Sequence, residues 1–158
     1  VNAQGFGENT LRMFERELKL CFIPFVEKNY HAETSSGSRA LAGLSMGGIQ
    51  TLYAGINNTE LFSYLGVFSS GWILPLQSDL ADKQNDYLKK NLDKINNNLK
   101  LLWIGIGGKE DIAYNNCQTM ISRFNEMNLK YTYNDYPGGH AWPVWRNNLY
   151  NFAQLLFK

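Results

Sequence analysis

Three short, nearly continuous apolar runs, Ala40–Leu44, Tyr64–Phe68 and Leu101–Ile106, restrict what this chain can fold into more than any other feature. Runs of this length suit strands buried on both faces, as in a parallel sheet. Between them lie helical segments: Met46–Ile56, a stretch near Gln84–Leu92, and Tyr114–Met127, where Cys117, Ile121 and Phe124 share one stripe. Tyr131–Tyr136 alternates more and contains Asn134 and Asp135, which predicts a strand nearer the sheet edge. Strand and helix in strict alternation imply βαβ units with right-handed crossovers, so the expected class is α/β.

The ends are helical by their spacing. From Thr10 onward Leu11, Phe14, Leu18, Cys21, Phe22 and Phe25 recur at helical intervals and predict an amphipathic helix, which Pro24 kinks or restarts. Pro143 suits a first helical turn, and Trp145, Leu149, Phe152 and Leu156 trace a final amphipathic helix. His31–Ser38 reads as a loop, and the polar stretch Asp79–Asn98 as a solvated excursion within the domain.

Composition limits the function classes. With 158 residues, 44% of them hydrophobic and 14% aromatic, the chain reads as one ordered domain spanning residues 1–158. A net charge of +1 gives no electrostatic reason to expect nucleic acid or an anionic membrane surface. No apolar run approaches the roughly 18 residues of a membrane span. Two histidines and two cysteines lie scattered, so no metal site is expected, and no phosphate-binding glycine loop suggests a nucleotide; the expected cofactor set is none. Cys21 and Cys117 sit in apolar helical patterns and read as buried thiols. The chain opens at Val1 without an initiator Met or signal peptide and reads as part of a longer product.

The sharpest chemical signal is Gly43-Leu44-Ser45-Met46-Gly47, with an apolar strand before it and a helix after. This is the Gly-x-Ser-x-Gly nucleophile elbow in its required context. The serine is expected on a strained turn, with side chains two residues to either side excluded by collision. The helix beginning at Met46 points its positive end at the same spot, and the Met46 N–H is a candidate oxyanion donor. A serine hydroxyl needs a base. His31 opens a polar loop ahead of the elbow and reads as a solvated surface residue. His140 follows the strand ending at Tyr136 through Pro137-Gly138-Gly139, at the sheet edge where α/β proteins carry ligands. The third member, a carboxylate orienting the imidazole, falls in chain order between them. Asp79, Asp82, Asp86 and Asp93 read as solvated charges; Asp111, just past the strand ending at Ile106, leads, followed by Glu110 and then Asp135.

Gly43-Leu44-Ser45-Met46-Gly47-Gly48, Gly108-Lys109-Glu110-Asp111 and Pro137-Gly138-Gly139-His140, with Trp142 and Trp145-Arg146 following, resemble the esterase D-like group of α/β-hydrolases. The resemblance is closest to bacterial feruloyl and acetyl-xylan esterases of carbohydrate esterase family 1, and it runs through nearly the whole chain. It implies that Ser45, Asp111 and His140 form a catalytic triad. It also implies an ester on a plant polysaccharide, or a related phenolic ester, as substrate, and export from a bacterial cell. Feruloyl esters are the leading expectation. Alternatives are acetyl esters, other acyl or thioester chemistry, and a carbohydrate-binding module that kept the fold without turnover. Trp72 and Trp142 are candidate walls of the substrate cleft.

The chain departs from that family in one respect: the strands that precede the first helix there have no counterpart here. One of those strands leads into the loop carrying the second oxyanion donor. The expectation is therefore a C-terminal portion of an α/β-hydrolase whose early strands lie elsewhere. The second donor is not in this chain, and an upstream segment or another chain pairs with the open side of Ala40–Leu44.

Overall fold

Along β2 (Tyr64–Phe68) and β3 (Leu101–Gly107) nearly every residue is buried, and successive side chains divide between the two faces of the sheet. Leu65, Val67, Leu102, Ile104 and Ile106 enter one core, whereas Tyr64, Phe68 and Trp103 enter another. A computed structural model describes residues 7–72 and 78–158 and shows β2 and β3 at the centre of a four-stranded sheet. The outer strands are β1 (Ala40–Leu44) and β4 (Thr132–Tyr136), and all three pairings are parallel in the order β1-β2-β3-β4.

Because this order never reverses, right-handed crossovers send each connecting helix over the same face. These helices are α3 (Met46–Asn57), α4 (Ser78–Asn98) and α5 (Tyr114–Met127). Together with Leu11 of α1 (Glu8–Glu17) they build the larger core. The last helix, α6 (Trp142–Ala153), covers the opposite face with Phe152 against Tyr64, Phe68 and Trp103. Glycines bring α6 close: a Cβ at Gly66 would lie 3.0 Å from the Phe152 ring, and one at Gly105 only 2.0 Å from Asn148 Oδ1.

The structure corrects four expectations. Asp79–Asn98 is no solvated excursion: it is the longest helix described, and Leu80, Ala81, Leu88 and Ile95 reach the core at helical spacing. The N-terminal stripe buries only Leu11 fully, while Cys21, Phe22 and Phe25 are exposed. Residues Leu18–Phe22 are π-helical, and this bonding shifts the phase of the stripe before α2 (Ile23–Asn29) begins with Pro24 in its first turn. Cys21 is therefore an exposed thiol, and only Cys117 is buried. Finally, β1 is half-exposed rather than buried on both faces, since among the described residues it pairs only with β2.

No helix among the described residues is long and apolar enough to cross a membrane.

Candidate functional site

All of the candidate chemistry collects at the carboxyl ends of the strands. Ser45 lies between β1 and α3 with φ 53° and ψ −118°, outside the favoured regions for an L-residue, a conformation that costs about 1–3 kcal/mol. Surrounding contacts enforce it. Ser45 N–H donates to Phe68 O at 2.8 Å, and Gly48 N–H donates to Ser45 O at 3.0 Å. A Cβ at Gly43 would lie 2.2 Å from Gly47 O, so that glycine is required by backbone that no rotamer change can move. Gly47 differs from the expectation: a Cβ there would meet nothing within 4 Å, and its part is to bring its carbonyl against Gly43. Gly48 is tight for another reason: a Cβ there would lie 2.5 Å from the Ser70 Cβ. Met46 is the first residue of α3, so its N–H has no acceptor within the helix.

Asp111 and His140 arrive on two loops that are tied together. Gly108 N–H donates to Gly138 O at 2.7 Å, and a Cβ at Gly107 would lie 2.5 Å from that same carbonyl. Gly138 has φ 126°, a conformation that glycine alone takes readily. The result is a continuous relay: His140 Nε2 lies 3.0 Å from Ser45 Oγ, and His140 Nδ1 lies 2.8 Å from Asp111 Oδ1. These bonds join residues 95 and 29 positions apart in the chain. The Trp145 ring meets the His140 imidazole edge-on, 5.1 Å between centroids, and holds it from the side.

The Asp111 side chain is wholly out of solvent, yet the carboxyl titrates below its ordinary value. Burial pushes it upward; the Ser69 hydroxyl, Ala113 N–H, His140 and Gly107 N–H together pull it further down. The other carboxylates do not share this setting, since Glu110 and Asp135 are exposed and the described side-chain hydrogen bonds of His140 are with Asp111 and Ser45. His31 is exposed, as its sequence context suggests.

A cavity of about 300 Å³ opens beside Ser45, lined by Met46, Ile49, Ser70, Ile112, Asn116 and His140. Neither tryptophan expected there takes part. Trp72 is 2% exposed and packs edge-to-face on Phe124 in the core, with its carbonyl accepting from Asn116 Nδ2. Trp142 is 65% exposed and meets Trp145 edge-to-face over a separate depression between β1 and α6. What the sequence reading missed is Ile112, Asn116 and Ser69: isolated residues in loops or on a helix face, with no motif to mark them. Among the described residues, no group of three or more His, Cys, Asp or Glu could hold a metal ion.

The model of the Esterase family matches residues 2–155, nearly the entire chain. The chain belongs to the Esterase family. This family member is 28% identical over 154 residues to an endo-1,4-beta-xylanase/feruloyl esterase of Xylanibacter ruminicola, covering 98% of this chain and 19% of that protein. The feruloyl esterase module of Clostridium thermocellum, solved with sinapinate, superposes with a TM-score of 0.76 at 21% identity. That match covers 93% of this chain and 59% of the module. An S-formylglutathione hydrolase from Staphylococcus aureus superposes with a TM-score of 0.70 at 18% identity, covering 90% of this chain and 62% of the hydrolase. The fold is thus that of the α/β-hydrolases, and this esterase-family chain spans about a fifth of the curated relative and about three-fifths of these two solved chains.

Proposed function

We propose that this chain carries the catalytic machinery of a serine ester hydrolase acting through a covalent acyl-enzyme. The observation that carries the reading is the unbroken relay Ser45 Oγ–His140 Nε2, His140 Nδ1–Asp111 Oδ1, at 3.0 and 2.8 Å. Ser45 Oγ attacks the ester carbonyl carbon while its proton passes to His140 Nε2. The carbonyl oxygen becomes an oxyanion facing the Met46 N–H at the positive end of α3. As the tetrahedral species collapses, the C–O bond to the alcohol breaks and His140 returns the proton to the leaving oxygen. Water then attacks the acyl carbon, giving its proton to His140; the bond from the acyl carbon to Ser45 Oγ breaks, His140 returns the proton to Oγ, and the acid is released. Throughout, Asp111 stays ionised, fixing the Nδ1–H tautomer and stabilising the imidazolium.

The substrate we assign is a hydroxycinnamate ester of a plant cell-wall polysaccharide, handled by an exported protein. A mostly apolar cavity of about 300 Å³ beside Ser45 has room for a planar acyl group, and relatives bearing feruloyl esterase names support this choice over acetyl esters. The reading includes a completing segment outside this chain, lying along the free edge of β1 and supplying a second oxyanion donor. Its support is the edge of β1 that pairs with nothing among the described residues, together with exposed Phe22 and Val26 lining a cavity of about 700 Å³ at the start of β1.

A fluorophosphonate probe tests the reading: labelling is expected at Ser45 and lost in Ser45→Ala. Label that persists in that variant overturns the nucleophile assignment. Comparing methyl ferulate with acetylated xylan decides the acyl group, and hydrolysis of neither favours a binding module. Full activity from this chain alone as a monomer would remove the need for a completing segment.

A further inference from the structure

The Asp111 carboxylate accepts three hydrogen bonds. Oδ1 takes Ala113 N–H at 2.9 Å and His140 Nδ1 at 2.8 Å, and Oδ2 takes Gly107 N–H at 3.2 Å. An ionised carboxylate offers about four acceptor positions, so Oδ2 retains one. Ser69, at the end of the strand beside the one that leads to Asp111, has the opposite deficit. It is wholly buried, and its hydroxyl has no hydrogen-bond partner among the described residues.

The backbone brings Ser69 there. It is the first residue past β2, and its N–H donates at 2.7 Å to the carbonyl of Gly105, two residues before the Gly107 that holds Asp111. Its φ is 45°, a conformation that glycine takes more easily than serine. What serine adds over glycine at this strained position is a Cβ and a hydroxyl, and the hydroxyl is the group able to donate to a carboxylate. Ser69 also borders the cavity shared by Ser45 and His140.

Resting on the triad reading above, we infer that Ser69 is a positioning residue for Asp111, its hydroxyl serving the open acceptor site on the carboxylate and keeping that group turned toward His140. Among the groups that pull the Asp111 carboxyl below its ordinary value, the Ser69 hydroxyl acts most strongly. Two other titratable groups bear on this carboxylate. His140 is the partner that it orients. Cys117, on α5, has a thiol pushed up to about 12 by burial and by Asp111, so it is neutral at working pH. A hydroxyl donor at Oδ2 would thus support the carboxylate without competing with His140 Nδ1, which bonds Oδ1.

Ser69→Gly is the informative change, because it removes the hydroxyl while accepting the same backbone. Carbon-13 NMR should show the Asp111 carboxyl titrating higher by roughly one unit, the order expected when a charged group loses one hydrogen bond. Ester hydrolysis should lose kcat several-fold with KM nearly constant. In the unaltered chain the Ser69 Cβ resonance should shift across the Asp111 midpoint, a measurement that needs no variant to fold. An Asp111 midpoint unmoved by Ser69→Gly, or a Ser69 resonance indifferent to it, overturns the inference. Absence of Ser45 labelling and of turnover would instead remove the proposed function, while the NMR titration still decides the role of Ser69.

Discussion

Gly105 of β3 and Asn148 of α6 fit so closely that a Cβ on the glycine would lie 2.0 Å from the asparagine Oδ1. Asn148 is wholly buried, accepts from Trp103 Nε1 at 3.4 Å and from Asn134 Nδ2 at 3.1 Å, and donates to Val144 O at 3.1 Å. This pair sets the distance between the sheet and the helix that follows His140. Gly105→Ala should destabilise the fold by about 1–3 kcal/mol through overpacking, read by denaturant or thermal unfolding. Combined with Asn148→Ala, the loss should be less than the sum of the two single changes, because both act on one contact.

At the elbow, the two motif glycines should behave differently. Gly43→Ala forces a methyl onto the Gly47 carbonyl and should abolish both fluorophosphonate labelling and much of the stability. Gly47→Ala meets open space and should leave the thermal midpoint close to that of the parent. Equal damage from both would contradict the observed packing.

The relay predicts an ordered set of kinetic losses. His140→Ala should lower kcat by about 10⁶-fold and Asp111→Asn by about 10⁴-fold, since one removes the base and the other its correct tautomer. His31→Ala, Glu110→Gln and Asp135→Asn change exposed residues outside the relay and should leave kcat within about twofold. Steady-state kinetics on methyl ferulate separates the two groups.

Asp111 also ties stability to pH. Its carboxyl titrates below the ordinary 3.8 when folded, so between the two values the unfolded chain binds more protons. Its contribution is therefore complete above the ordinary value and is lost as pH falls toward the folded one. Urea midpoints measured across that acid window should fall with decreasing pH, and less steeply in Asp111→Asn.

The two cysteines should differ sharply toward a thiol reagent at neutral pH. Cys21 is exposed and should react at once. Cys117 is buried, with its thiol pushed up to about 12, so it should react only on unfolding. Two fast equivalents per chain would contradict this.

Local pattern by itself pointed to the strand–helix alternation, the parallel sheet, the turn at Ser45 between strand and helix, and the loop that brings His140 rather than His31 beside that turn. Each rests on residues adjacent in the chain: a short apolar run bounded by turn residues suits a strand, and a glycine-flanked serine between strand and helix suits one turn. Tertiary structure decided the rest. Asp111 prevailed over Glu110 and Asp135 because the bond from Gly108 to Gly138 draws two distant loops together, leaving Asp111 buried against His140 and its rivals in water. Trp72 went to the core and Trp142 to a different surface, since an indole suits both settings and only packing chooses between them. The apolar stripe of the first helix failed to predict burial at Cys21 and Phe22 because a π-turn altered its phase. Ser69 carried no mark at all. Its meaning comes from a carboxylate 42 positions further along the chain, brought beside it by the pairing of β2 with β3, and no local pattern encodes that distance.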